Sequence, residues 1–414
     1  MKQKTLILLC DNYPLSAGEF FIDDEMRVIA PQFEKVILYT ASAKSEENLN
    51  RFIPDNAEVV QFSKQKLETG KIKSFFRIFK PMFLRELVFA VRQLPVKYWV
   101  SAFKIMYVDM HRATNLKTEL VGLCRAKNID MADCVFYSYW HDYKALSLAL
   151  MRKENKALKC FARSHGWDNF ADRHKPPYLP FKSFIINNLS RTYSISNAGT
   201  NYFEHYLNRK LDNKLIVSRL GKVNDRYPNM DKRSNSALIC SCSNLISLKR
   251  VDKIIEVLSS LNVGSLHWVH FGDGPLREEL LLYAQKMLLD VQYEFKGLVP
   301  NNKILDFYAE NYVDLFINLS MSEGIPVSIM EALSAGIPVL ATNVGGTSEA
   351  VNSKNGFLIP ADFDCSSVAQ IIDNYLDVNK IEQQAIRRNA YEFWKENYEA
   401  RKNYNEFIND IVQL

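Results

Sequence analysis

The sequence predicts an α/β protein with two parallel-sheet domains. Three observations carry that expectation. Short apolar segments alternate with helix-length amphipathic stretches, the pattern of parallel strands covered on both faces. The alternation runs twice, and one polar stretch without apolar periodicity, Gly221–Asn235 (GKVNDRYPNMDKRSN), separates the two runs. A length of 414 residues, at about 150 per domain, accommodates two or three domains. The expected division is 1–220, a linker 221–235, a second domain 236–388, and a helical tail 389–414.

In order, Thr5–Cys10 reads as the first strand. A loop containing Gly18 leads to a helix near Glu19–Ala30, and Val36–Thr40 is the second strand. Between residues 64 and 127 the rhythm stops and a helical insert is expected. Cys134–Tyr137, Cys160–Arg163 and Tyr193–Ile195 resume as strands, with helices near His141–Lys153 and Asn197–Asn208. After the linker, strands are expected at Ser236–Cys242, Leu266–Phe271, Val291–Phe295, Val313–Asn318 and Pro338–Thr342. Helices follow the first two, at Val251–Leu261 and Pro275–Met287, and the aromatic-rich stretch from Glu382 to Leu414 is helical. Ligands of such sheets bind outside the carboxyl ends of the strands, so the expected class is a cleft enzyme.

Composition excludes other classes. The chain is 47% hydrophobic and 24% charged, with only 15 Gly and 14 Pro, so it is neither disordered nor collagen-like. A net charge of +5 is too weak to point to nucleic acid. The charge is concentrated: residues 64–104 hold seven Lys and three Arg against two Glu. Seven scattered cysteines without metal-ligand spacing fit a reducing cytoplasm, and no metal site is expected. The apolar run Leu6–Cys10 is shorter than a signal-peptide core and reads as a buried strand. No uninterrupted apolar stretch reaches about 18 residues, so no membrane span is expected.

The chemistry concentrates in Asn318–Val351 (NLSMSEGIPVSIMEALSAGIPVLATNVGGTSEAV). A strand enters a Ser/Gly turn, Pro326 opens a helix, and Gly336–Pro338 stops it. Glu323 stands just before that helix and Glu331 eight residues later, a rise of about 12 Å. The two carboxylates are spaced for opposite ends of one extended polar ligand, and the free N–H groups of a helix start suit a phosphate. Gly345 and Gly346 form a second strand-to-helix turn that allows close backbone approach.

Glu323-x7-Glu331 within SEGIPVSIMEALSAGIPVLATNVGG resembles the retaining family 4 glycosyltransferases of the GT-B fold, in which two Rossmann-like domains face a central cleft. LISLKRVDKIIEVL (Leu245–Leu258), HFGDGPLREEL (His270–Leu280) and RSHGWD (Arg163–Asp168) resemble further segments of that family in the same order. The resemblance implies that Glu331 holds the ribose of a nucleoside-diphosphate sugar and Glu323 the hydroxyls of its sugar. Lys249, seconded by Arg250, would neutralise the diphosphate. Gly18 would admit the diphosphate at the first strand-to-helix turn, and His165 would stand beside the reacting sugar. Gly272, Gly324, Ile325, Pro326, Val327, Gly345 and Gly346 complete the implied donor site. The first domain would bind the acceptor and the second the nucleotide sugar, and the tail helix would cross back to the first domain. No cofactor and no metal are implied. The implied reaction moves a hexosyl unit to a glycan or polyprenyl-diphosphate-linked acceptor in capsule, O-antigen or exopolysaccharide assembly. One departure stands out. The family carries an Arg five or six residues before the Lys that matches Lys249, where this chain has Asn244 and Ser243. That departure motivates an alternative, a catalytically degenerate sugar-nucleotide-binding or partner protein.

Competing readings of single residues are weighed beside these. His141 rivals His165 for the catalytic place. Gly272-Asp273-Gly274-Pro275 resembles a dinucleotide turn but lacks its third glycine, where Arg277 stands. Asp362 and Asp364 have the spacing of a metal-binding pair, and the expectation is a surface turn with Asp364 as a helix cap. In the insert, Leu84, Leu87, Val88 and Val91 share one helical face, and Trp99, Phe103, Met106 and Met110 another. Either these faces pack on the sheet, or they enter an anionic bilayer while Lys71, Lys73, Arg77 and Lys80 meet lipid phosphates. The expected location is cytoplasmic, peripheral on the inner membrane face in the second case.

Overall fold

A computed structural model describes residues 3–16, 18–41, 51–62, 81–230 and 236–414. The chain divides into two compact units: 1–220 together with 404–414, and 221–403.

The first unit holds a seven-stranded parallel sheet. Its strands are β1 (Gln3–Cys10), β2 (Phe33–Thr40), β3 (Ala57–Gln61), β4 (Cys134–Ser138), β5 (Lys159–Ser164), β6 (Arg191–Ser194) and β7 (Leu215–Val217). They lie in the order β3-β2-β1-β4-β5-β6-β7, so the order reverses between β1 and β4. Central strands are apolar without alternation because helices cover both faces. Leu6 to Cys10 and Val36 to Leu38 are wholly buried. Edge strands β3 and β7 were not expected. β3 is half-exposed and polar in part, as Glu58 and Gln61 show, while β7 is a run of only three apolar residues, Leu215–Val217.

The second unit holds a six-stranded parallel sheet of β8 (Ala237–Cys242), β9 (Leu266–Phe271), β10 (Gln292–Phe295), β11 (Leu315–Asn318), β12 (Val339–Thr342) and β13 (Gly356–Ile359). The order is β10-β9-β8-β11-β12-β13, reversing between β8 and β11. The unexpected member, β13, is again an edge. Asp364 caps helix Cys365–Asp377 by accepting from Ser367 N–H at 2.8 Å. Residues 221–230 of the polar stretch pack into this unit. Asn224 donates to the Ser334 hydroxyl at 2.9 Å and Arg226 pairs with Asp306 at 2.7 Å. Its lack of apolar periodicity reflects polar contacts rather than absence of structure. The tail is two helices, Lys380–Asn397 and Ala400–Gln413, and the chain rejoins the first unit from Tyr404. There Arg163 stacks on Phe407 at 4.6 Å and Asp410 pairs with Arg191.

In the insert the two apolar faces are packed only in part. Helix Pro81–Gln93 buries Met82, Phe83, Glu86 and Ala90, while Leu84, Val88 and Val91 are exposed. The cause is Glu86, whose carboxylate is taken inside by the Tyr178 hydroxyl at 2.6 Å and the Phe181 N–H at 2.9 Å. In helix Trp99–Ala126, Met106 and Met110 are buried but Trp99 and Phe103 remain partly exposed. Lys71, Lys73, Arg77 and Lys80 lie outside the described residues.

Candidate functional site

In a doubly wound sheet, the loops splay apart where the strand order reverses and leave a crevice. Each unit places polar residues at that point.

In the second unit the loops after β8 and β11 bring Lys249 to Glu323, Nζ to Oε1 at 2.5 Å. Asn318 Nδ2 approaches the same oxygen at 3.4 Å. Glu323 and Glu331 are both buried. Glu331, on helix Val327–Ser334, faces Lys222 Nζ at 3.4 Å and accepts a hydrogen bond from the Asn301 amide. Two lysine–carboxylate pairs thus bracket the helix start, where first-turn N–H groups lack intrahelical partners. Gly345 and Gly346 lock the Glu323–Gly324 turn. Gly346 N–H donates to Gly324 O at 2.8 Å, and a Cβ on Gly345 would meet Glu323 O at 1.9 Å. Ile325 and Pro326 are buried beneath this turn, and Val327 starts the helix.

Other expected donor residues have different surroundings. The Arg250 guanidinium is committed to backbone carbonyls, to Leu319 O at 2.6 Å and Ala361 O at 2.9 Å, and it stacks on Phe363. It fastens the loops around Lys249. A Cβ on Gly272 would meet Ser243 O at 1.9 Å, so this turn is filled by the neighbouring loop. Lys222 and Asn301 were missed, the first because it sits in the stretch read as a linker.

In the first unit, Gly18 has φ +99°. The amides after β1 are already occupied: the Glu19 carboxylate accepts from the N–H groups of Asp11 (3.1 Å), Asn12 (2.7 Å) and Tyr13 (2.8 Å), and from the Trp140 indole. Arg51 supports the same loop, donating to Gly18 O at 2.8 Å and Glu19 O at 2.9 Å. His165 follows β5, buried among Phe21, Tyr139 and Trp140 with ring centroids 4.8–5.5 Å away. Its backbone N–H donates to Asp168 Oδ2 at 3.1 Å, and the ring Nε2 lies 3.1 Å from Tyr139 O. Burial and the nearby Arg163 push its pKa down to about 3, so the imidazole is neutral. His141 is buried as well, with Nδ1 3.2 Å from Lys182 Nζ, and burial and that cation hold it well below its usual range.

Beside His165 lies a cavity of about 920 Å³. Asp11 lines it from β1, Trp140 to Tyr143 from β4, and Trp167 to Lys182 from the loop after β5. Ile105, Asp109, Arg112 and Glu119 of helix Trp99–Ala126 form a further wall. Lys144, beneath it, pairs with Asp11 at 2.9 Å and Asp142 at 2.5 Å.

Residues 227–393 match the family described as glycosyl transferases group 1. Over 256 residues the chain is 31% identical to the O-antigen biosynthesis glycosyltransferase WbnH of Escherichia coli, covering 58% of this chain and 67% of that protein. The chain belongs to the glycosyl transferases group 1. A second relative, the putative teichuronic acid biosynthesis glycosyltransferase TuaC of Bacillus subtilis, is 30% identical over 159 residues, 38% of each chain. Among solved structures, Anabaena Alr3699/HepE in complex with UDP has a TM-score of 0.64 at 15% identity, covering 99% of this chain and 100% of that one. That likeness shows the fold, two Rossmann-like domains of the GT-B type. Lys249, Glu323, Glu331 and the glycine turns lie inside the group 1 match, whereas Lys222 and the cavity of the first unit lie outside it.

Proposed function

We propose that this chain transfers a hexosyl unit from a nucleoside-diphosphate sugar to a lipid-linked glycan acceptor in the assembly of a surface polysaccharide, capsule, O-antigen or exopolysaccharide. The observation that carries the reading is the double lysine–carboxylate arrangement, Lys249 with Glu323 and Lys222 with Glu331, about one helix start. Glu331 takes the ribose hydroxyls of the donor and Glu323 those of its sugar. Lys249 passes from Glu323 to the diphosphate when donor binds, since the dianion is the stronger partner for a cation. The bond from sugar C1 to phosphate oxygen breaks, and the acceptor oxygen bonds to C1 on the face the phosphate leaves, with retention. The acceptor proton goes to the leaving phosphate. His165, neutral, lines the path of the sugar and moves no proton. The protein supplies position and charge, and no metal takes part.

The membrane is the second proposed partner. Seven large apolar residues on 84–103 are exposed, from 37% at Val91 and Phe103 to 69% at Val96. Every exposed charge of 81–104 is positive, Arg85, Arg92, Lys97 and Lys104, because the one acid there, Glu86, is buried. This composition fits an anionic bilayer face, and it would bring the enzyme to acceptors carried in that bilayer. No described helix is long and apolar enough to cross a membrane.

The test is product formation: purified protein with labelled UDP-, GDP- and ADP-sugars and a lipid extract of the source cell. Transfer from one donor with retained anomeric configuration, unchanged by a chelator, is the expected result. Inversion would overturn the mechanism. Tight nucleotide binding with no transfer from any donor would favour the degenerate binding protein.

A further inference from the structure

The cavity of the first unit holds an acid and a base that the fold leaves without mutual pairing. Asp109 and Arg112 stand three residues apart on helix Trp99–Ala126, one turn of helix, and both line the cavity. The other four carboxylates of the wall are committed. Asp11 and Asp142 pair with Lys144, Asp168 accepts from His165 N–H, and Glu119 accepts from the Tyr39 hydroxyl. Asp109 makes no hydrogen bond and no ion pair among the described residues. Among the described residues Arg112 meets only the Tyr143 ring, 5.5 Å from its centroid. Five aromatic side chains, Phe62, Trp140, Tyr143, Trp167 and Tyr178, share the wall. Aromatic faces accept the C–H face of a sugar ring, while a carboxylate and a guanidinium accept from and donate to its oxygens. A volume of about 920 Å³ lies within the range of small-ligand sites.

We propose that this cavity seats a pyranose unit of the acceptor glycan, with Asp109 accepting from two of its hydroxyls and Arg112 donating to a neighbouring ring substituent. The proposal rests on the sugar-transfer reading, yet it concerns a helix outside the range that matches the family. Specificity for the acceptor then resides in the insert. Burial, with Asp142 nearby, raises the Asp109 pKa to about 7 against the pull of Arg112, Lys182 and Lys144. Sugar hydroxyls that donate to the carboxylate favour its ionised form, so affinity falls as the pH drops below 7. The neighbouring titratable groups behave differently: burial lowers His141 and His174, and Asp168 is raised only to about 6.

The experiment is a tryptophan-fluorescence titration of the full chain with methyl α- and β-pyranosides of glucose, galactose, mannose and N-acetylglucosamine and their monodeoxy forms. UDP, GDP and ADP are titrated in parallel. One pyranoside is expected to saturate, and Asp109→Asn and Arg112→Gln to weaken it at least tenfold while keeping the melting temperature and nucleotide affinity. Removing the contacted hydroxyl should cost wild type the same factor and Asp109→Asn nothing more. The fall in affinity below pH 7 should vanish in Asp109→Asn. Pyranoside binding that both variants leave intact would overturn the proposal. So would a nucleoside diphosphate that binds while no pyranoside does, which leaves the transfer reading standing. If neither class of ligand binds, both readings fall.

Discussion

In the second unit each carboxylate of the crevice is closed by a lysine, Glu323 by Lys249 and Glu331 by Lys222. In the first unit the crevice amides are filled by Glu19, the central lysine is shared by two aspartates, and Asp109 is left facing the cavity. The same sheet topology therefore offers two kinds of site. Lysine–carboxylate pairs suit the proposed donor, which brings a dianion to the cation and hydroxyls to the carboxylates. A cavity walled by aromatic rings with one open carboxylate suits a neutral polyol, which needs acceptors and donors but no charge exchange.

The sharpest way to break this comparison is Glu331→Ala. It removes the proposed ribose ligand and leaves Lys222 buried without its carboxylate. Transfer should fall by roughly 100-fold to 1,000-fold, read as kcat/KM for the donor. Wild-type turnover in this variant would remove Glu331 from the site. Next in size is Gly345→Ala. Its φ is +55° and a Cβ would stand 1.9 Å from a backbone oxygen, so urea unfolding should show a loss of about 3 kcal/mol. A neutral outcome would mean the two turns are not locked.

His165 provides a pH test. Its folded pKa is about 3 and the unfolded histidine takes its proton near 6.5. The unfolded chain therefore binds more protons between these values, and stability is lost as pH falls from 6.5 towards 3. Between pH 7.5 and 5, His165→Gln should lose about 2 kcal/mol less stability than wild type. Parallel losses would place the imidazole in water. The smallest effect concerns the exposed helices. Val88→Asp or Leu84→Asp should leave the melting temperature within about 1 °C and weaken binding to anionic vesicles about tenfold. Equal binding by these variants and wild type would remove the apolar row from the membrane proposal.

The second unit was the more legible of the two, for a physical reason. Its candidate groups lie on short strand-loop-helix segments, so Glu323 and Glu331 stood out by their spacing, and Lys249 entered through the resemblance of Leu245–Leu258. Lys222 was not legible, because its role depends on Glu331, distant in sequence, within a stretch that shows only polarity. The insert was legible only in part. Four apolar residues marked one face of Pro81–Gln93 without deciding whether it packs or lies open, and the buried Glu86, satisfied by Tyr178 and Phe181, marks the opposite side as the packed one. No periodicity reveals such a contact. The cavity of the first unit was hidden because its wall comes from separate strand ends, a loop and the insert. Asp109 became visible only once its neighbours were seen to be paired elsewhere. Of the edge strands, β3 escaped because it is half-exposed with a mixed sequence, β7 because it has only three residues, and β13 because it is a short run opening on a glycine.

The most direct test of the account is a crossed titration of wild type, Glu331→Ala and Asp109→Asn with the donor nucleoside diphosphate and with the saturating methyl pyranoside. The account predicts that Glu331→Ala loses the nucleotide and keeps the pyranoside, and that Asp109→Asn does the reverse. Loss of both ligands in either folded variant, or of neither, would contradict the assignment of donor and acceptor chemistry to separate units.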